Sequence, residues 1–421
     1  MNILVLNCGS SSLKFQIIST DENAIANNTD NILAKGLIEK VGSNEAIISF
    51  KSLSTSPRGS TNNYKTTKPL ADHIDSLHSF IEWLHLPTTV IDGVNSLKDI
   101  NAIGHRTVHG STTFNSSVLI NQSIIKELEE NTELAPLHNP ANIMGIEAAT
   151  KVFGEDVPQV GVFDTAFHTT IPEYAYMYGI DYDLSIKHRI RRYGFHGTSH
   201  RYMGIRYREL LGKSVSETNI ISLHLGNGAS IAAVKKGKSI DTTMGFTPLE
   251  GLIMGTRCGD IDPTIIEYLM QKERKSLEET FGLLNKRSGV AGISGISNDM
   301  RDIEKGVLEG HQRATLAQDM YVYRIKKYIG AYLSAMNGAD ALVFTGGVGE
   351  NDSMVRSKIC KDMDYVGLTL DEDLNTSSVR GIEGKISKDN SKIAVYVIPT
   401  NEELMIARDT YCIVTGKKII E

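Results

Sequence analysis

Short apolar runs alternate along the chain with longer amphipathic stretches, and this alternation predicts an α/β protein. Strands are predicted at residues 3–6, 13–18, 102–105, 159–163, 220–225, 230–235, 341–344 and 393–398. Helices are predicted at residues 72–84, 122–130, 141–152, 263–271, 276–288, 314–335 and 402–407. Residues 51–68 are rich in Ser, Thr, Asn and Lys, which predicts an exposed loop or hairpin rather than a linker between domains.

Two short segments repeat one pattern, in which a strand leads into a turn of Gly, Asn and Ser residues and then into a second strand. They are residues 6–11 and 225–230, one near the start of each half of the chain. Hairpin tips of this composition present backbone N–H groups and small hydroxyls to an anion. Either segment alone also fits an ordinary hairpin, but the pair favours a duplicated fold with a nucleotide cleft.

Length and composition narrow the class of protein. A chain of 421 residues predicts two or three domains, or two halves of one duplicated architecture. The hydrophobic fraction of 41% and the charged fraction of 22% exclude wholesale disorder. The formal net charge of −6 gives no general attraction for nucleic acid or an anionic membrane, so neither is expected as a partner.

The cysteine spacing and the lengths of the apolar segments indicate the cellular compartment of the protein. The four cysteines are scattered without a CxxC pair, which predicts neither a disulfide framework nor a zinc site. The first residues lack a signal-peptide pattern, and no segment approaches the ~20 apolar residues that span a bilayer. We therefore expect a cytoplasmic protein.

Residues 104–110 contain two histidines and an arginine between glycines. His105 and His109 have the four-residue spacing of a helical metal pair, but the central glutamate is missing and the flanking glycines disfavour a helix. Zinc is therefore disfavoured. Arg106 suits a bidentate contact with a carboxylate or phosphate, although an exposed arginine is the simpler alternative.

Three further segments present single polar side chains. Asp164 ends an apolar run, as carboxylates at α/β sites do, although a turn or N-cap aspartate is a frequent alternative. His196 lies between glycines that allow close backbone approach to a ligand, and a structural histidine is about as well supported. Arg257 lies in a Gly-flanked loop that holds it over a site or forms a solvated turn.

The C-terminal third contains a glycine-rich segment and paired glutamates. A strand is predicted to lead into a loop at 346–351 and then a helix from Ser353, which offers backbone amides to a nucleotide. The segment is not GxGxxG, and Walker A and GxSxG motifs are absent. The spacing of Thr400 and Glu403 predicts a capping box, which leaves Glu402 for a metal.

Taken together, these motifs resemble the acetate kinase family, in the acetokinase branch of the sugar-kinase/actin/heat-shock ATPase superfamily. The matching segments stand in family order over nearly the whole chain, at residues 7–14, 104–106, 163–168, 192–200, 224–228, 255–263, 299–301 and 345–351. The chain departs from the family pattern at Ser111, where a glycine is usual, and at Cys258, where a serine is common. Neither departure affects a residue expected to be essential.

The resemblance implies an α/β, two-domain, duplicated βββαβαβα fold of the actin-like ATPase (ribonuclease H-like) type, with an active-site cleft between the domains. The N-terminal domain is expected at residues 1–168, with a helix at about 403–421 packing back on it, and the nucleotide-binding domain at 169–402. The implied reaction is reversible, direct in-line transfer of a phosphoryl group from ATP to acetate, giving ADP and acetyl phosphate. Mg²⁺ (or Mn²⁺) and a homodimer are also implied.

The family's functional residues transfer to this sequence position by position. The implied catalytic residues are Arg106, Asp164, His196 and Arg257. The implied substrate pocket is Arg106, Val108, Leu137, Phe195 and Pro248. The implied nucleotide and phosphate residues are Ser10, Ser12, Lys14, His224, Leu225, Gly226, Asn227, Gly228, Asp299, Met300, Arg301, Gly347, Val348, Gly349, Glu350 and Asn351. The implied metal ligands are Asn7 and Glu402.

Two rival functions and one doubtful role stay open at this point. A propionate or butyrate kinase of the same family differs in the size of its acyl pocket, and β-branched Val108 favours the smaller substrate. A nucleotide-gated protein of the same superfamily has no need for two arginines and a histidine around a small apolar pocket. The family assigns Asp164 as an acid/base, but a carboxylic acid with a pKa of about 4.3 is already ionised at neutral pH, so orienting Arg106 or metal-bound water is the better role.

Overall fold

The computed structural model describes residues 1–53, 63–136 and 138–420, and these divide into two compact units. Unit 1 contains Met1–Ala166 and Asn401–Ile420, and unit 2 contains Phe167–Thr400. Each unit is built on one mixed β-sheet. No helix in the described part of the chain is long and apolar enough to cross a membrane.

The sheet of unit 1 has eight strands in the order β5-β4-β3-β2-β1-β6-β8-β7. The strands are β1 (Asn2–Gly9), β2 (Ser12–Ser19), β3 (Asn31–Glu39), β4 (Ser43–Ser52), β5 (Asn63–Leu70), β6 (Ala102–Thr107), β7 (Val118–Leu119) and β8 (Gln159–Phe163). The helices are α1 (Glu22–Asn27), α2 (His73–Leu84), α3 (Gln122–Glu130) and α4 (Asn139–Phe153). Strands β1 to β5 pair antiparallel in succession, whereas β6 and β8 run parallel to β1.

The sheet of unit 2 has six strands in the order β11-β10-β9-β12-β14-β13. The strands are β9 (Asn219–Leu225), β10 (Ala229–Lys235), β11 (Lys238–Thr242), β12 (Ala341–Thr345), β13 (Gly384–Lys385) and β14 (Ala394–Val397). The helices are α5 (Glu173–Tyr176), α6 (Tyr182–Lys187), α7 (Gly197–Leu211), α8 (Thr264–Glu273), α9 (Leu277–Lys286), α10 (Gly289–Ser294), α11 (Met300–Leu308), α12 (Gln312–Met336), α13 (Gly346–Asn351), α14 (Ser353–Cys360) and α15 (Glu372–Ser377).

The last helix, α16 (Glu402–Thr415), returns to unit 1 and packs on β1, β6 and β8. Gly104 of β6 makes this packing possible, because a Cβ there would lie 2.4 Å from Thr410 Oγ1 and 2.7 Å from Ile406 Cγ2. The helix therefore lies directly over the strand that leads to Arg106.

The two sheets share one strand plan. In unit 1 the plan is β3-β2-β1-β6-β8, and in unit 2 it is β11-β10-β9-β12-β14, so three antiparallel strands are followed by two parallel ones in each. The predicted duplication is therefore confirmed. In both units the first hairpin is the segment singled out in the sequence, with tips at residues 10–11 and 226–228.

The hairpin alternative predicted for residues 51–68 agrees with the structure, because β4 and β5 pair antiparallel, and residues 54–62 lie outside the described residues. Several other elements differ from the sequence prediction. Helix α7 was not predicted, and the helix predicted at 402–407 extends to Thr415. The predicted glycine-rich loop at 346–351 is instead helix α13, which begins directly after β12.

The physical reason for the last difference lies in Gly346 and Glu350. Gly346 has φ +77°, and a Cβ there would lie 2.8 Å from the carbonyl oxygen of Leu225, so only glycine fits this turn. Glu350 Oε1 accepts hydrogen bonds from the N–H groups of Gly346 at 2.9 Å and Thr400 at 3.0 Å. These contacts close the first helical turn, which a composition rich in glycine disfavours by itself.

Candidate active site

Arg106 and Asp164 form a bidentate ion pair at the C-terminal ends of two parallel strands of unit 1. Asp164 directly follows β8, and the parallel pairing of β6 with β8 brings it beside Arg106. Arg106 Nη2 and Nε donate to the two carboxylate oxygens at 2.6 and 3.2 Å. Asp164 raises the pKa of Arg106 above its usual value, and its own side chain is only 2% exposed. The carboxylate thus fixes the orientation of a permanently charged guanidinium.

The first turn of α16 adds two glutamates to this ion pair. Glu402 Oε2 lies 3.8 Å from Arg106 Nε, and burial raises the pKa of Glu402 to about 7 against the opposing effect of Arg106. Glu403 pairs with Lys14 on β2. We call these five side chains the unit 1 charge cluster: Lys14, Arg106, Asp164, Glu402 and Glu403.

The predicted capping box between Thr400 and Glu403 is wrong. The N-cap of α16 is Asn401, whose side-chain oxygen accepts from the N–H of Leu404 at 3.1 Å. Because the helix begins one residue later than the spacing predicted, Glu403 is directed to Lys14 instead of the helix terminus. The N–H of Thr400 donates to Glu350.

The donor set of unit 1 is compatible with a magnesium ion that also takes water and phosphate ligands. No three His, Cys, Asp or Glu side chains among residues 1–53, 63–136 and 138–420 are close enough together to hold a metal ion. Mg²⁺ is commonly bound through one or two protein oxygens, with water and substrate phosphates completing its shell. Asn7 lies opposite Lys14 in the β1–β2 hairpin, and Glu402 adjoins the partner of that lysine. An amide oxygen and a carboxylate from these positions fit such a site.

The residues predicted for an acyl pocket come from both units. Val108 is half-buried, and its N–H donates to Asn142 Oδ1 at 3.0 Å, which fixes the backbone after β6 against α4. Phe195 is buried in unit 2. The carbonyl of Pro248 accepts from Arg257 Nη1 at 3.2 Å. Leu137 lies outside the described residues.

His196 and Arg257 meet at the second hairpin tip, in unit 2. A Cβ on Gly228 would lie 3.5 Å from the His196 ring and 3.6 Å from Arg257 Nη1, so glycine lets both side chains approach the tip. His196 has φ 55° and occupies the N-cap position before α7, and its ring stacks on that of His224 with centroids 4.3 Å apart. We call His196, Gly228 and Arg257 the unit 2 anion cradle.

Arg257 differs from Arg106 in having no carboxylate partner within the described ranges. Its side chain donates to the carbonyl of Pro248 and to the sulfur of Met254. Burial lowers the pKa of this guanidinium, although it stays protonated. A largely desolvated cation without a counter-charge makes a favourable position for a bound anion.

A cavity of about 700 Å³ lies beside this cradle in unit 2. Its volume is in the range that small-molecule sites occupy. Eight of the predicted nucleotide residues line it: Gly226, Asn227, Asp299, Met300, Arg301, Gly347, Val348 and Asn351. Asp299 caps the N-terminus of α11 and pairs with Arg301, so two helix N-termini, those of α11 and α13, border the cavity.

The other predicted nucleotide and phosphate residues lie elsewhere. Glu350 ties the start of α13 to Thr400, and the carbonyl of Gly349 accepts from Arg356 at 2.9 Å. His224 and Leu225 end β9, and the ring of His224 contacts Ser199 at 2.8 Å. Ser10, Ser12 and Lys14 belong to the first hairpin of unit 1.

The sequence analysis missed polar residues that the fold brings to the same region. Asn298 lines the cavity and donates to Asn227 at 2.9 Å, and Tyr321 and Asp352 line it as well. Ser230 lies between two histidine rings. Asn298 adjoins the predicted Asp299, so its neighbourhood was a usable signal, and Ser230 ends the hairpin segment 225–230, although the sequence did not indicate its histidine partners.

Duplicated sheets of this strand plan, each opening on a small-residue hairpin tip, define the actin-like ATPase fold class. Residues 2–408 match the Acetokinase family, and the chain therefore belongs to that family. It is 54% identical over 420 residues to the acetate kinase of Chloroherpeton thalassium, covering 99% of this chain and 100% of that one. It is 51% identical to the acetate kinase of Thermoanaerobacter pseudethanolicus, with the same coverage.

Solved structures agree with this assignment. The crystal structure of Porphyromonas gingivalis acetate kinase superposes with a TM-score of 0.89 at 46% identity, covering 98% of this chain and 99% of that one. A propionate kinase from Francisella tularensis superposes with a TM-score of 0.86 at 42% identity, covering 97% and 98%. The chain is thus a kinase-family enzyme with relatives named for two different short acids.

Proposed function

We propose that this protein is an acetate kinase, which transfers the γ-phosphoryl group of ATP to acetate in a reversible reaction that yields acetyl phosphate and ADP. Family membership and the names of relatives at about half identity support the reaction. The observation that carries the proposal in the structure is the unit 2 anion cradle, where Arg257 is desolvated without a carboxylate beside a nucleotide-sized cavity.

The proposed nucleotide site is the cavity of unit 2. Its glycines allow a ligand to approach the backbone closely. In this proposal Asp299, Met300, Arg301 and residues 347–351 hold the nucleoside end, with Glu350 and Gly349 acting through the shape of α13. The hairpin tips, with Ser10, Ser12, Lys14 and residues 224–228, hold phosphates.

The proposed acetate site is built on Arg106. Asp164 holds the guanidinium in one orientation, with its remaining N–H donors available to a carboxylate. Because acetate is already ionised at neutral pH, Asp164 has no proton to remove from it, and its role in the proposal is to orient Arg106. From the family resemblance, the proposal assigns Val108, Leu137, Phe195 and Pro248 to the methyl group of acetate.

Charge neutralisation and alignment supply most of the proposed catalysis. An anionic acetate oxygen attacks a phosphoryl group whose charge is spread over three equatorial oxygens, so unassisted approach is repulsive. Arg106 aligns the nucleophile, while His196 and Arg257 donate hydrogen bonds to the transferring group. The attacking oxygen forms its bond to phosphorus in line with the departing ADP oxygen, and no covalent enzyme intermediate is needed.

We propose Asn7 and Glu402 as the protein ligands of the divalent metal, Mg²⁺ or Mn²⁺. When bound, the ion supplies positive charge to the β- and γ-phosphate oxygens. Replacing Glu402 with Gln is expected to raise the Mg²⁺ concentration needed for half-maximal activity. The matched variant is Glu403→Gln, which removes the neighbouring carboxylate, and its Mg²⁺ requirement is expected to stay close to that of the parent.

Propionate or butyrate kinase is the second candidate, and the similarity to a propionate kinase of known structure supports it. A methylene in a hydrophobic pocket discriminates by about 1–3 kcal/mol, so propionate is expected to be a poorer substrate rather than an excluded one. The decisive experiment is ADP release measured with acetate, propionate, butyrate and no acid. A higher kcat/KM for propionate than for acetate identifies a propionate kinase, and release that is independent of any acid contradicts both proposals.

A homodimer is also proposed. In unit 2 a short stretch exposes large apolar side chains, which soluble monomers rarely cluster. Their exposed fractions are 89% for Tyr174, 51% for Ile180, 59% for Tyr182, 49% for Leu184 and 55% for Ile186. Sedimentation velocity of the parent and of Tyr182→Glu with Ile186→Glu tests this assembly.

The four free thiols, at Cys8, Cys258, Cys360 and Cys412, support the proposal of a cytoplasmic location.

A further inference from the structure

Ser230 bridges two histidine rings behind the unit 2 anion cradle. Its hydroxyl oxygen lies 2.9 Å from His196 Nδ1 and 2.8 Å from His200 Nε2. The other ring nitrogen of His200 lies 2.9 Å from the hydroxyl of Ser222. Ser222, Ser230 and His200 have no exposed surface, so these hydrogen bonds are not exchanged with water.

Counting protons limits this series of hydrogen bonds to two arrangements. Burial lowers the pKa of His200 well below its usual value, so its ring is neutral and carries a single N–H. Ser230 also has one proton and contacts two rings, so it donates to one of them and accepts from the other. It therefore donates either to His196 Nδ1 or to His200 Nε2.

The surroundings of His196 favour a neutral ring, and an anion bound in the cradle favours the tautomer whose N–H faces it. The titratable and charged groups that face this ring include His200 through Ser230, the stacked ring of His224 and the guanidinium of Arg257 across Gly228. The permanent positive charge of Arg257 disfavours a second cation on His196. A neutral His196 that accepts at Nδ1 carries its proton on Nε2. That nitrogen lies 3.6 Å from the position of a Gly228 Cβ, on the side of the hairpin tip.

We propose that Ser230 is a positioning residue that holds His196 as the neutral tautomer with its proton on Nε2, so that the ring donates a hydrogen bond to the transferred phosphoryl group. His200 serves as the buried proton partner that allows Ser230 to donate. This proposal rests on the proposed kinase function, since that function assigns the phosphoryl group to the cradle. It explains why a serine with no surface exposure faces two histidines in the interior of a sheet.

The experiment compares Ser230→Ala with Ser239→Ala. Ser239 is a suitable control because it is equally buried on the neighbouring strand and contacts a different histidine, His168, at 2.9 Å. Ser230→Ala is expected to lower kcat about ten-fold with KM for ATP and acetate changed less than two-fold, since the lost bond acts on the transition state. Ser230→Thr keeps the hydroxyl and is expected to recover most of kcat.

A second measurement reads the tautomer without using activity. Protein labelled with ¹⁵N in its histidines is examined by long-range nitrogen–proton correlation between pH 6 and 9, and the His196 signal is assigned by its loss in His196→Gln. We expect a neutral ring with the proton on Nε2 in the parent and in Ser239→Ala, and a mixture of tautomers or an altered protonation midpoint in Ser230→Ala.

Two results overturn the proposal: an imidazolium or Nδ1–H ring in the parent at pH 7, or a Ser230→Ala enzyme whose kcat and His196 tautomer match those of Ser239→Ala. If the parent releases no acetate-dependent ADP, the proposed function fails instead, and the nitrogen measurement still decides the tautomer. If Ser230→Ala does not fold, Ser230→Thr and the parent spectrum carry the decision.

Discussion

Arg106 and Arg257 are chemically identical side chains in opposite electrostatic surroundings. Arg106 is held by two hydrogen bonds to Asp164, whereas Arg257 donates to a carbonyl and to a thioether sulfur within the described part of the chain. The first is oriented before any ligand arrives, and the second gains a counter-charge only when an anion binds. We therefore propose that Arg106 positions the substrate and that Arg257 stabilises developing negative charge.

Replacing Arg257 with Ala is expected to lower kcat by at least ~10³, as the loss of an arginine that stabilises a transferring phosphoryl group does. Arg106→Ala is expected to raise KM for acetate as well. Steady-state kinetics in both directions, with folding checked by circular dichroism, measure these effects. The control is Arg287→Ala, an exposed arginine at the end of α9, and turnover of Arg257→Ala close to that control contradicts the assignment.

Val108 is the residue expected to limit acyl length. Val108→Ala removes two methyl carbons, and a buried methylene contributes ~0.8 kcal/mol, so the propionate-to-acetate ratio of kcat/KM is expected to rise several-fold. The gain is expected mainly in KM for propionate, because the added methyl group is remote from the reacting oxygen. Paired kinetics on acetate, propionate and butyrate measure the ratio, and an unchanged ratio removes Val108 from the pocket.

At the scale of elements, the start of α16 sets the geometry of the unit 1 charge cluster. Asn401 caps the helix, and its first turn directs Glu402 towards Arg106 and Glu403 towards Lys14. A shift of one residue in this start rotates the helix by about 100° and moves both carboxylates to other faces. The capping residue therefore determines which glutamate faces the proposed metal site.

Asn401→Ala is expected to destabilise the protein by about 1 kcal/mol, within the 0.5–2 kcal/mol typical of lost N-caps. Glu403→Ala is expected to cost less, because Lys14 has a side chain that is 50% exposed and exposed ion pairs contribute little. Urea unfolding of the two variants and the parent compares these free energies. A larger loss of unfolding free energy for Glu403→Ala than for Asn401→Ala supports the capping box that the spacing predicted.

At the scale of the whole molecule, each unit contains a histidine that burial keeps neutral. Burial lowers the pKa of His105 in unit 1 and of His168 in unit 2 to about 4 in each case. Both rings are buried and hydrogen-bonded. His105 Nε2 lies 2.7 Å from Gln159 Oε1, and His168 Nε2 lies 3.0 Å from the carbonyl oxygen of Phe195. Both units therefore lose stability in acid for the same reason.

The free energy of unfolding is expected to fall as the pH drops from about 6.5 to about 4. Above pH 6.5 these histidines are neutral in both states; below it the unfolded chain binds protons that the folded one does not. A depression of the pKa from 6.5 to about 4 corresponds to about 3 kcal/mol for each ring at the acid end.

Urea unfolding at pH values from 4.5 to 8 measures this dependence. In His105→Gln, whose amide can still donate to Gln159, the slope with pH is expected to be shallower by up to about 1.4 kcal/mol per pH unit. The control is His78→Gln, an exposed histidine on α2. A slope for His105→Gln equal to that of the control means that His105 does not titrate on unfolding.

The sequence by itself determined the α/β class and the duplicated plan, and it proposed most residues of the unit 1 charge cluster and the unit 2 anion cradle. Alternating apolar runs and small-residue turns are local patterns, and local patterns can be recognised in a single sequence. Family resemblance added the reaction, because eight motifs in one order specify more than any single loop. Asp164 at the end of a strand and Arg257 between glycines were both visible in this way.

Tertiary structure alone decided which partner each polar side chain takes. Glu403 meets Lys14 across 389 positions of sequence, and Glu350 meets Thr400 across 50. Ser230 lies in a segment that the sequence marked as a hairpin tip, but its two histidine partners come from the packing of α7 against the sheet of unit 2. The spacing of residues along the sequence indicates which residues share an element, whereas the packing of elements determines the hydrogen-bond partners. The capping box and the glycine-rich loop were predicted wrongly for this reason.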